Sequence, residues 1–204
     1  MFLSVPGDYF VRIKGAAKDR SARFVTSLGF DLYMKSDDRR ILENVILPYF
    51  AGKKEYERLL FVGCEWYTRG YRKEFTNHEY WTLDSDPYKA KYGSRLHIQD
   101  DMENIHNHFR EGELDLIICN GVFGWGLNTY EQIERAFSGC FKVLRPGGQF
   151  ILGWNDIPRH RPVPPAEIRA LKRFEPHIFP PLSTWQVQSR NPNRHIYNFY
   201  IKAP

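Results

Sequence analysis

The chain has 204 residues, a mass of 24.2 kDa and a formal net charge of +5. This length suits one domain, and a hydrophobic content of 42% with 16% aromatic residues is enough to form a buried core. A wholly disordered chain is therefore excluded. The positive charge is spread over short segments of mixed sign, without a basic stripe, so we do not expect a nucleic-acid partner.

The cysteines and the apolar segments indicate where the protein resides. Cys64, Cys119 and Cys140 stand far apart, and an odd number without close pairs predicts neither a disulfide framework nor a metal site. The N-terminal "MFLSVPGDYFVRIKG" lacks the charged region and uninterrupted apolar core of a signal peptide. No segment reaches the roughly 18 apolar residues of a membrane span. We therefore expect a cytoplasmic protein without a membrane partner.

Two parts of the chain differ in pattern. Residues 1–36 show weak periodicity and are predicted to be an N-terminal arm or a lid, and the sequence leaves these two open. Residues 37–204 are predicted to be a single domain. It begins with a helix that Ser36 or Asp37 caps and Gly52 terminates. The apolar positions with helical spacing are Ile41, Leu42, Val45, Ile46 and Tyr49.

Short apolar segments then alternate with polar or helical ones. Continuous hydrophobicity predicts strands that are covered on both faces, as in a parallel sheet. The amphipathic segment at 129–144 predicts a helix, so the whole pattern predicts a doubly wound α/β sheet. "STWQVQSR" and "HIYNFYIKA" predict an antiparallel C-terminal hairpin. The strand segments are "RLLFVG" (58–63), "EYWTLD" (79–84), the weaker "RLHIQD" (95–100), "LDLIICN" (114–120) and "GQFILGW" (148–154).

Such sheets bind nucleotide cofactors at the carboxyl ends of their strands. The pattern requires a glycine turn after the first strand, where a Cβ would block the ligand, and an acidic residue about 20 positions later for the ribose hydroxyls. A polar turn after the third strand and small polar residues after the fourth complete it. The positions that fit are Gly63, Asp84 or Asp86, Asp100, Asp101, Met102, Asn120 and Gly121.

Two longer segments carry a family resemblance. "LDLIICNGVFGW" is followed by "IERAFSGCFKVLRPGGQFILG", in which residues 144–148 match a Leu-(Lys/Arg)-Pro-Gly-Gly turn before a fifth strand. Over roughly residues 58–156 the chain resembles the class I S-adenosylmethionine-dependent methyltransferase family, in its type 11-like form. The resemblance implies a Rossmann-like, doubly wound, mostly parallel seven-stranded sheet with a C-terminal antiparallel hairpin. It also implies S-adenosyl-L-methionine as the cofactor.

The resemblance also implies roles for individual residues. Gly63 and its turn would contact the methionine part of the cofactor, and Asp84 with Ser85 would hold the ribose. Asp101 and Met102 would meet the adenine. The residues that would line the floor near the transferable methyl group are Asn120, Gly121 and Val122.

The glycine loop departs from the family pattern. Phe61 replaces the usual acidic residue, and Glu65 and Tyr67 replace the two further glycines. The Glu65 carboxylate lies close to where the missing acid would reach the cofactor's amino group, so it is predicted to compensate. Trp66 and Tyr67 would either flank the ligand or fill its space.

Several functions therefore stay open. The first is a methyltransferase acting on an unidentified small-molecule acceptor. The second is a non-catalytic methyltransferase-like domain for binding or scaffolding. A nicotinamide-dependent enzyme is a third, which the missing third glycine disfavours. The oligomeric state is not predicted.

No catalytic base is assigned. His160, His177 and Asp156 follow the fifth predicted strand, where acceptor sites often lie, but loop or surface roles are favoured for them. An aromatic acceptor pocket is a further possibility, although core positions are favoured for most of its candidates. These candidates are Phe123, Trp125, Trp154, Trp185 and the tyrosines of the C-terminal tail.

Overall fold

The computed structural model describes residues 21–26 and 28–204. Residues 1–20 and residue 27 lie outside the described residues, and so does most of the predicted arm or lid. Residues 21–26 are helical. A continuous helix, α1, follows at residues 37–51; it is α-helical over Asp37–Ile41, π-helical over Leu42–Ile46 and α-helical over Leu47–Ala51.

Helix α1 begins and ends where the sequence predicts. Ser36 is its N-cap with an extended backbone, φ −140°, although its side chain makes no capping hydrogen bond. Gly52 is the C-cap. Leu42 and Ile46 are fully buried, because helical spacing places both on the face that packs against the sheet.

The eight strands form one sheet in the order β3-β2-β1-β4-β5-β8-β6, and β7 also pairs with β8. Strands β1 to β5 are parallel, whereas β8 runs antiparallel to β5, β6 and β7. The mostly parallel sheet and the C-terminal antiparallel hairpin are thus confirmed, with seven strands along the main path and β7 as an eighth. The strands are β1 Arg58–Val62, β2 Glu79–Leu83, β3 Leu96–Ile98, β4 Leu114–Asn120, β5 Leu144–Asn155, β6 Glu175–Pro176, β7 Gln186–Gln188 and β8 His195–Ile201.

Helices cover both faces of the sheet. Helix α2, Tyr130–Val143, begins at a capping box formed by Thr129 and Gln132 and packs Phe137 against one face. Helix α1 packs Phe50 against the other face. Short 3-10 segments, not long helices, connect β1 to β4: Arg69–Lys73, Pro87–Tyr92 and Met102–Asn107. The strand order reverses between β1 and β4, which is where such sheets form their binding crevice.

The predicted turn at residues 144–148 lies inside a strand. Strand β5 begins at Leu144, not at Gly148 as the pattern predicts. Leu114 pairs with Leu144 and Leu116 pairs with Gln149, so the residues in between bulge from the ladder. Gly147 has a φ of +76°, which accounts for glycine at the reversal.

The three cysteines should be unreactive in the native protein. All are buried and free, and burial raises the pKa of Cys64 and Cys119 to about 12 and that of Cys140 well above its ordinary value. At pH 8 a thiol of pKa 12 is a thiolate in only ~10⁻⁴ of the molecules. We expect a chromogenic disulfide reagent to titrate no thiol in native protein and all three in guanidinium. Rapid native reaction of Cys64 would contradict its burial.

Candidate functional site

A cavity of about 760 Å³ opens at the carboxyl ends of β1 to β4, where the strand order reverses. This volume lies within the range of small-molecule sites. The structure brings all nine predicted site residues to its lining: Gly63, Glu65, Asp84, Ser85, Asp101, Met102, Asn120, Gly121 and Val122.

Gly63 joins β1 to the cavity wall with a left-handed backbone, φ +94°. A Cβ at this position would lie 2.9 Å from the carbonyl oxygen of Asn120 and 2.9 Å from Cγ2 of Val122. The ends of β1 and β4 therefore approach each other more closely than any side chain at position 63 allows. Both the conformation and the approach require glycine.

Hydrogen bonds to the side chains of Glu65, Thr68 and Asp84 fix the backbone of the loop after Gly63. Cys64 donates its backbone N–H to Oδ2 of Asp84 at 2.7 Å. Glu65 donates its N–H to Oγ1 of Thr68 at 3.0 Å, and Trp66 donates its N–H to Oε1 of Glu65 at 3.0 Å. A loop that lacks two of the family's glycines thus keeps a defined conformation through local polar side chains.

Trp66 and Tyr67 flank the cavity without closing it. Trp66 is buried in a small cluster with Ala22, Cys64 and Tyr92. The ring of Tyr67 lies under the guanidinium of Arg39, with 4.4 Å between the ring centroid and Cζ. Both side chains line the remaining space. Of the two alternatives for these residues, the structure favours flanking the ligand over filling its space.

Asp84 and Asp86 both line the cavity, but their surroundings differ. Oδ2 of Asp84 accepts from Cys64, and Oδ1 accepts from the N–H of Asp86 at 3.0 Å. Lys89 Nζ lies 3.8 Å from Asp84. Asp86 caps the next turn by accepting from the N–H of Tyr88 at 2.9 Å. Each Asp84 oxygen keeps a lone pair for a further hydrogen-bond donor.

The two neighbouring aspartates after β3 differ in their hydrogen-bond partners. Asp100 accepts from Nδ2 of Asn104 at 2.8 Å and contacts Nε2 of His108 at 2.7 Å, and these hydrogen bonds lower the pKa of its carboxyl. Asp101 is exposed, and its carboxylate makes no hydrogen bond or ion pair within residues 21–26 and 28–204. The carboxylate of Asp101 is therefore available to accept hydrogen bonds from a ligand.

Sequence reasoning missed a buried arginine in the cavity wall. Arg39 is only 6% exposed, yet its single hydrogen bond in the described part of the chain is a long one, 3.4 Å, from Nη1 to the hydroxyl of Tyr71. Its Nε lies 3.6 Å from Asp38 Oδ2 and has no hydrogen-bond partner there. In the segment "KSDDRR" nothing distinguishes Arg39 from an exposed surface charge. Its side chain is buried only because of the way α1 packs. An Arg in this state has donors available for an anion.

The far wall of the cavity is polar, and of its residues the sequence predicted only Asn120. It is formed by Asn120, Asn155, Asn191 and His195, the last only 4% exposed. His195 Nδ1 lies 2.7 Å from Oδ1 of Asn155, and Nε2 lies 3.0 Å from Oδ1 of Asn120. Burial lowers the pKa of His195 to about 4. The β5–β8 register pairs Asn155 with His195, and the β4–β5 register pairs Asn120 with Gly153; no local pattern encodes either register.

The start of α1 anchors this wall. Asp37 Oδ2 accepts the N–H of Arg190 at 2.8 Å, and Asp38 Oδ1 accepts from Nδ2 of Asn191 at 2.7 Å. The hydroxyl of Tyr197 donates to the Asp38 carbonyl at 3.1 Å. The loop between β7 and β8 is thus fixed over the cavity by residues about 150 positions earlier in the chain.

The candidates for a catalytic base are not placed as free bases in the cavity. His160 stacks on Trp125, with ring centroids 3.9 Å apart, and its Nδ1 lies 3.2 Å from the Gly124 carbonyl. Asp156 forms ion pairs with Arg161 and Arg194. His177 is half-buried and does not line the cavity.

The aromatic candidates divide between core and cavity. Phe123 and Trp154 belong to the hydrophobic core, as favoured from the sequence. Trp185 is exposed away from the cavity. Trp125 lines the cavity and is 56% exposed. Of these candidates only Trp125 lines the cavity, at its rim, so they do not form an aromatic acceptor pocket.

The fold and the position of this cavity define a Rossmann-like nucleotide-binding domain. Residues 60–152 match the family model of the methyltransferase domain. A comparison with curated proteins finds no significant match. Within the described ranges we find no cluster of metal-binding side chains, and no helix there is both long and apolar enough to cross a bilayer.

Similar solved structures share this fold at low identity. The N-methyltransferase NodS from Bradyrhizobium japonicum WM9 is 16% identical, covers 82% of this chain and 97% of its own, and gives a TM-score of 0.61. Its complex with S-adenosyl-L-homocysteine gives 16% identity, 83% and 90% coverage, and a TM-score of 0.60. A TehB-like SAM-dependent methyltransferase from Corynebacterium glutamicum ATCC 13032 is 18% identical, with 92% and 97% coverage and a TM-score of 0.59.

The family model and the shared fold agree. Residues 60–152 match a methyltransferase domain, and the fold of the chain is similar to that of S-adenosylmethionine-dependent methyltransferases. The domain model and the NodS complex with S-adenosyl-L-homocysteine support S-adenosyl-L-methionine as the cofactor.

Proposed function

We propose that the protein is an active S-adenosylmethionine-dependent methyltransferase whose acceptor is a small molecule. The observation that carries the proposal is the open cavity in which Gly63, Asp84, Asp101 and Asn120 meet in the family's order. The alternative of a non-catalytic domain is less well supported, because Trp66 and Tyr67 leave the cavity open. We also propose a cytoplasmic location, since three buried unpaired thiols suit a reducing compartment.

The adenosine end of the cofactor fits the side formed by β2 and β3. Asp84 has lone pairs for the ribose hydroxyls, with Ser85 beside it at the surface. The free Asp101 carboxylate is suited to the exocyclic amine of adenine, and the buried Met102 offers an apolar contact for the ring.

The amino-acid end of the cofactor carries a carboxylate and an ammonium group, and the opposite side of the cavity offers both counter-charges. Arg39 would bind the carboxylate through its unused N–H donors. Glu65 lines the cavity and would face the ammonium with Oε1, which also accepts from the Trp66 N–H. Its Oε2 forms an ion pair with Arg23 at 3.1 Å. This pairing would replace the acid and the glycines missing from the loop.

When bound, the cofactor supplies a sulfonium-activated methyl group, so the protein contributes mainly by positioning. Gly63 lets the end of β1 lie close to Asn120 and Val122, since a Cβ there would project against both. Asn120, Gly121 and Val122 would form the floor on which the acceptor lies.

Calorimetric titration of the purified protein with S-adenosylmethionine and S-adenosylhomocysteine tests the proposal. We expect micromolar dissociation constants for both. No binding at millimolar ligand, in protein that unfolds cooperatively and carries no copurified cofactor, would instead support the non-catalytic alternative.

Replacing Arg39 with glutamine should weaken S-adenosylhomocysteine about 10- to 100-fold, the loss expected for hydrogen bonds to a charged group. It should leave 5′-methylthioadenosine, which lacks the amino-acid group, within about twofold. Calorimetry with both ligands measures the difference. Arg40→Gln is the matched control, because Arg40 is the exposed neighbour on the same helix. Equal losses for both ligands would contradict a carboxylate contact.

A further inference from the structure

The rim of the cavity carries an exposed tryptophan that the proposed cofactor site does not use. Trp125 lines the cavity, and more than half of its surface is open to solvent. Single exposed apolar residues are common on protein surfaces, so exposure alone assigns no role. Trp125 differs from such residues because its ring is held in one orientation.

Stacking on His160 fixes the indole. The two ring centroids lie 3.9 Å apart, the ring planes are 15° from parallel, and Nδ1 of His160 lies 3.2 Å from the Gly124 carbonyl oxygen. Gly124 has a φ of +78°, and a Cβ there would overlap the carbonyl of His160. The segments that carry the two rings therefore approach so closely that no side chain fits at position 124.

A tight turn fixes the backbone of Trp125. The carbonyl of Val122 accepts from the N–H groups of Trp125 at 3.0 Å and Leu127 at 3.0 Å, and Gly124 donates its N–H to the Leu127 carbonyl at 2.9 Å. Val122 belongs to the proposed floor near the transferable methyl group. The indole is thus attached rigidly beside the place where an acceptor would lie.

One face of the indole is open to a ligand. His160 stacks on one face and does not itself line the cavity, whereas Trp125 does. The cavity therefore meets the indole on the side that His160 leaves open. A planar ring at this place would continue the stack of Trp125 on His160.

The polar wall of the cavity favours an uncharged ring over a cation. Its carboxamides are neutral, and burial lowers the pKa of His195 to about 4, so the imidazole is uncharged at pH 7. The charge of Asp38 beside this wall is offset by Arg39, whose Nε lies 3.6 Å from Oδ2. A cation attracted to the indole face would find no unpaired counter-charge here.

We infer that Trp125 is a specificity-determining residue whose open face stacks on a planar, uncharged aromatic ring of the methyl acceptor, and that a heteroatom in or on this ring receives the methyl group. This inference rests on the proposed function. His160 is a positioning residue that holds the indole for the contact.

The basic groups near Trp125 favour the same acceptor class, since neither histidine there is a free base. Both nitrogens of His195 contact asparagine oxygens, and His160 is held against Trp125 and Gly124. An aliphatic amine resembling lysine has a pKa of about 10.4 and is protonated at pH 7, and an aliphatic alcohol would need a base. Conjugation with an aromatic ring lowers the pKa of both groups, so an aromatic amine keeps its lone pair and a phenol ionises more readily.

The transfer balances without a further reactant. A lone pair of the ring heteroatom forms the new bond to the methyl carbon while the S–C bond of the sulfonium breaks, and that bonding pair stays on sulfur. A proton carried by the methylated heteroatom is then lost to solvent.

The first test measures ring stacking in protein without cofactor. Indole ¹H–¹⁵N signals of the five tryptophans are recorded, and Trp125 is assigned from its loss in Trp125→Phe. 2-Naphthol should move the Trp125 signal upfield through its ring current, whereas decahydro-2-naphthol, the same skeleton without a π-system, should not. Trp185 is the internal control, because it is exposed away from the cavity. An unmoved Trp125 signal, or equal shifts with both compounds, would overturn the inference.

The second test uses methyl-labelled S-adenosylmethionine and acceptor pairs that differ in aromaticity: aniline and cyclohexylamine, phenol and cyclohexanol, thiophenol and cyclohexanethiol. Label should appear on the aromatic members. Trp125→Leu should then raise KM about 5- to 150-fold, the range for stacking of a planar ring on an aromatic side chain. Its kcat should stay within about twofold, because ground state and transition state stack alike. Trp125→Phe, which keeps a ring, should recover most of the loss.

Controls separate this inference from the proposed function. Trp185→Leu should leave KM unchanged, and Trp125→Leu should keep its affinity for S-adenosylhomocysteine within about twofold. Label on none of the aromatic members, or a KM that Trp125→Leu leaves unchanged, would refute the acceptor class. Failure of cofactor binding would refute the proposed function separately, since the first test needs no cofactor.

Discussion

Replacing Asp84 with alanine should weaken S-adenosylmethionine binding by about 100- to 10,000-fold. Each hydrogen bond to a charged group contributes about 1.5–3 kcal/mol, and each 1.4 kcal/mol is a factor of ten. In the proposed site, two ribose hydroxyls would donate to this carboxylate. The change also removes the acceptor of the Cys64 N–H, so the glycine loop loses a restraint. Calorimetry measures the affinity, and thermal unfolding verifies that the variant is folded.

Two further variants separate these effects and resolve the choice between the neighbouring aspartates. Asp84→Asn keeps an oxygen for the Cys64 N–H but lacks the charge, and an intermediate loss is expected. Asp86→Asn keeps the acceptor for the Tyr88 N–H, and its affinity should stay within about threefold. If Asp86→Asn had the large effect and Asp84→Ala the small one, the assignment of the ribose site would be reversed.

Gly63→Ala should destabilise the protein by about 2–5 kcal/mol. A left-handed backbone costs a non-glycine residue about 1–2 kcal/mol, and forcing extra atoms into a packed region costs about 1–3 kcal/mol. The new methyl group would lie 2.9 Å from the Asn120 carbonyl oxygen and would separate the ends of β1 and β4. Urea unfolding measures the free energy of unfolding, and cofactor affinity should fall with it.

Gly121→Ala is the matched control for this variant. Its φ of +73° imposes a similar backbone penalty, but a Cβ there has no heavy atom within 4 Å. We expect it to lose only about 1–2 kcal/mol. The difference between the two variants then isolates the steric contact. Equal losses would mean that the close approach of β1 and β4 contributes nothing to stability.

The fold was predictable because its signals are local. Apolar segments of strand length, an amphipathic helix and the glycines of residues 144–148 each act within a few residues, and the structure confirms the sheet that they predict. The placement of Asp84 in the cavity was predictable for the same reason: a fixed spacing from Gly63 brings the ends of neighbouring strands together. The start of β5 was misplaced, since a bulge depends on the partner strand.

The remaining parts of the candidate site depend on contacts between distant segments. Nothing near Arg39 distinguishes it from the exposed Arg40, and only packing against Tyr67 and Tyr71 shows that it is buried. His195 gains its asparagine partners from two other strands. The sequence left open whether Trp66 and Tyr67 flank a ligand or fill its space, because the hydrogen bond from the Trp66 N–H to Glu65 cannot be inferred from composition.

The anchoring of the β7–β8 loop to the start of α1 has a consequence for the order of assembly. Contacts across about 150 residues close large loops and form late. During synthesis β1 to β4, with Gly63 and Asp84, emerge before residues 186–201 exist. A nascent chain thus contains Gly63 and Asp84 before Asn191 and His195 exist, so the polar wall of the cavity is completed only when the closing hairpin forms.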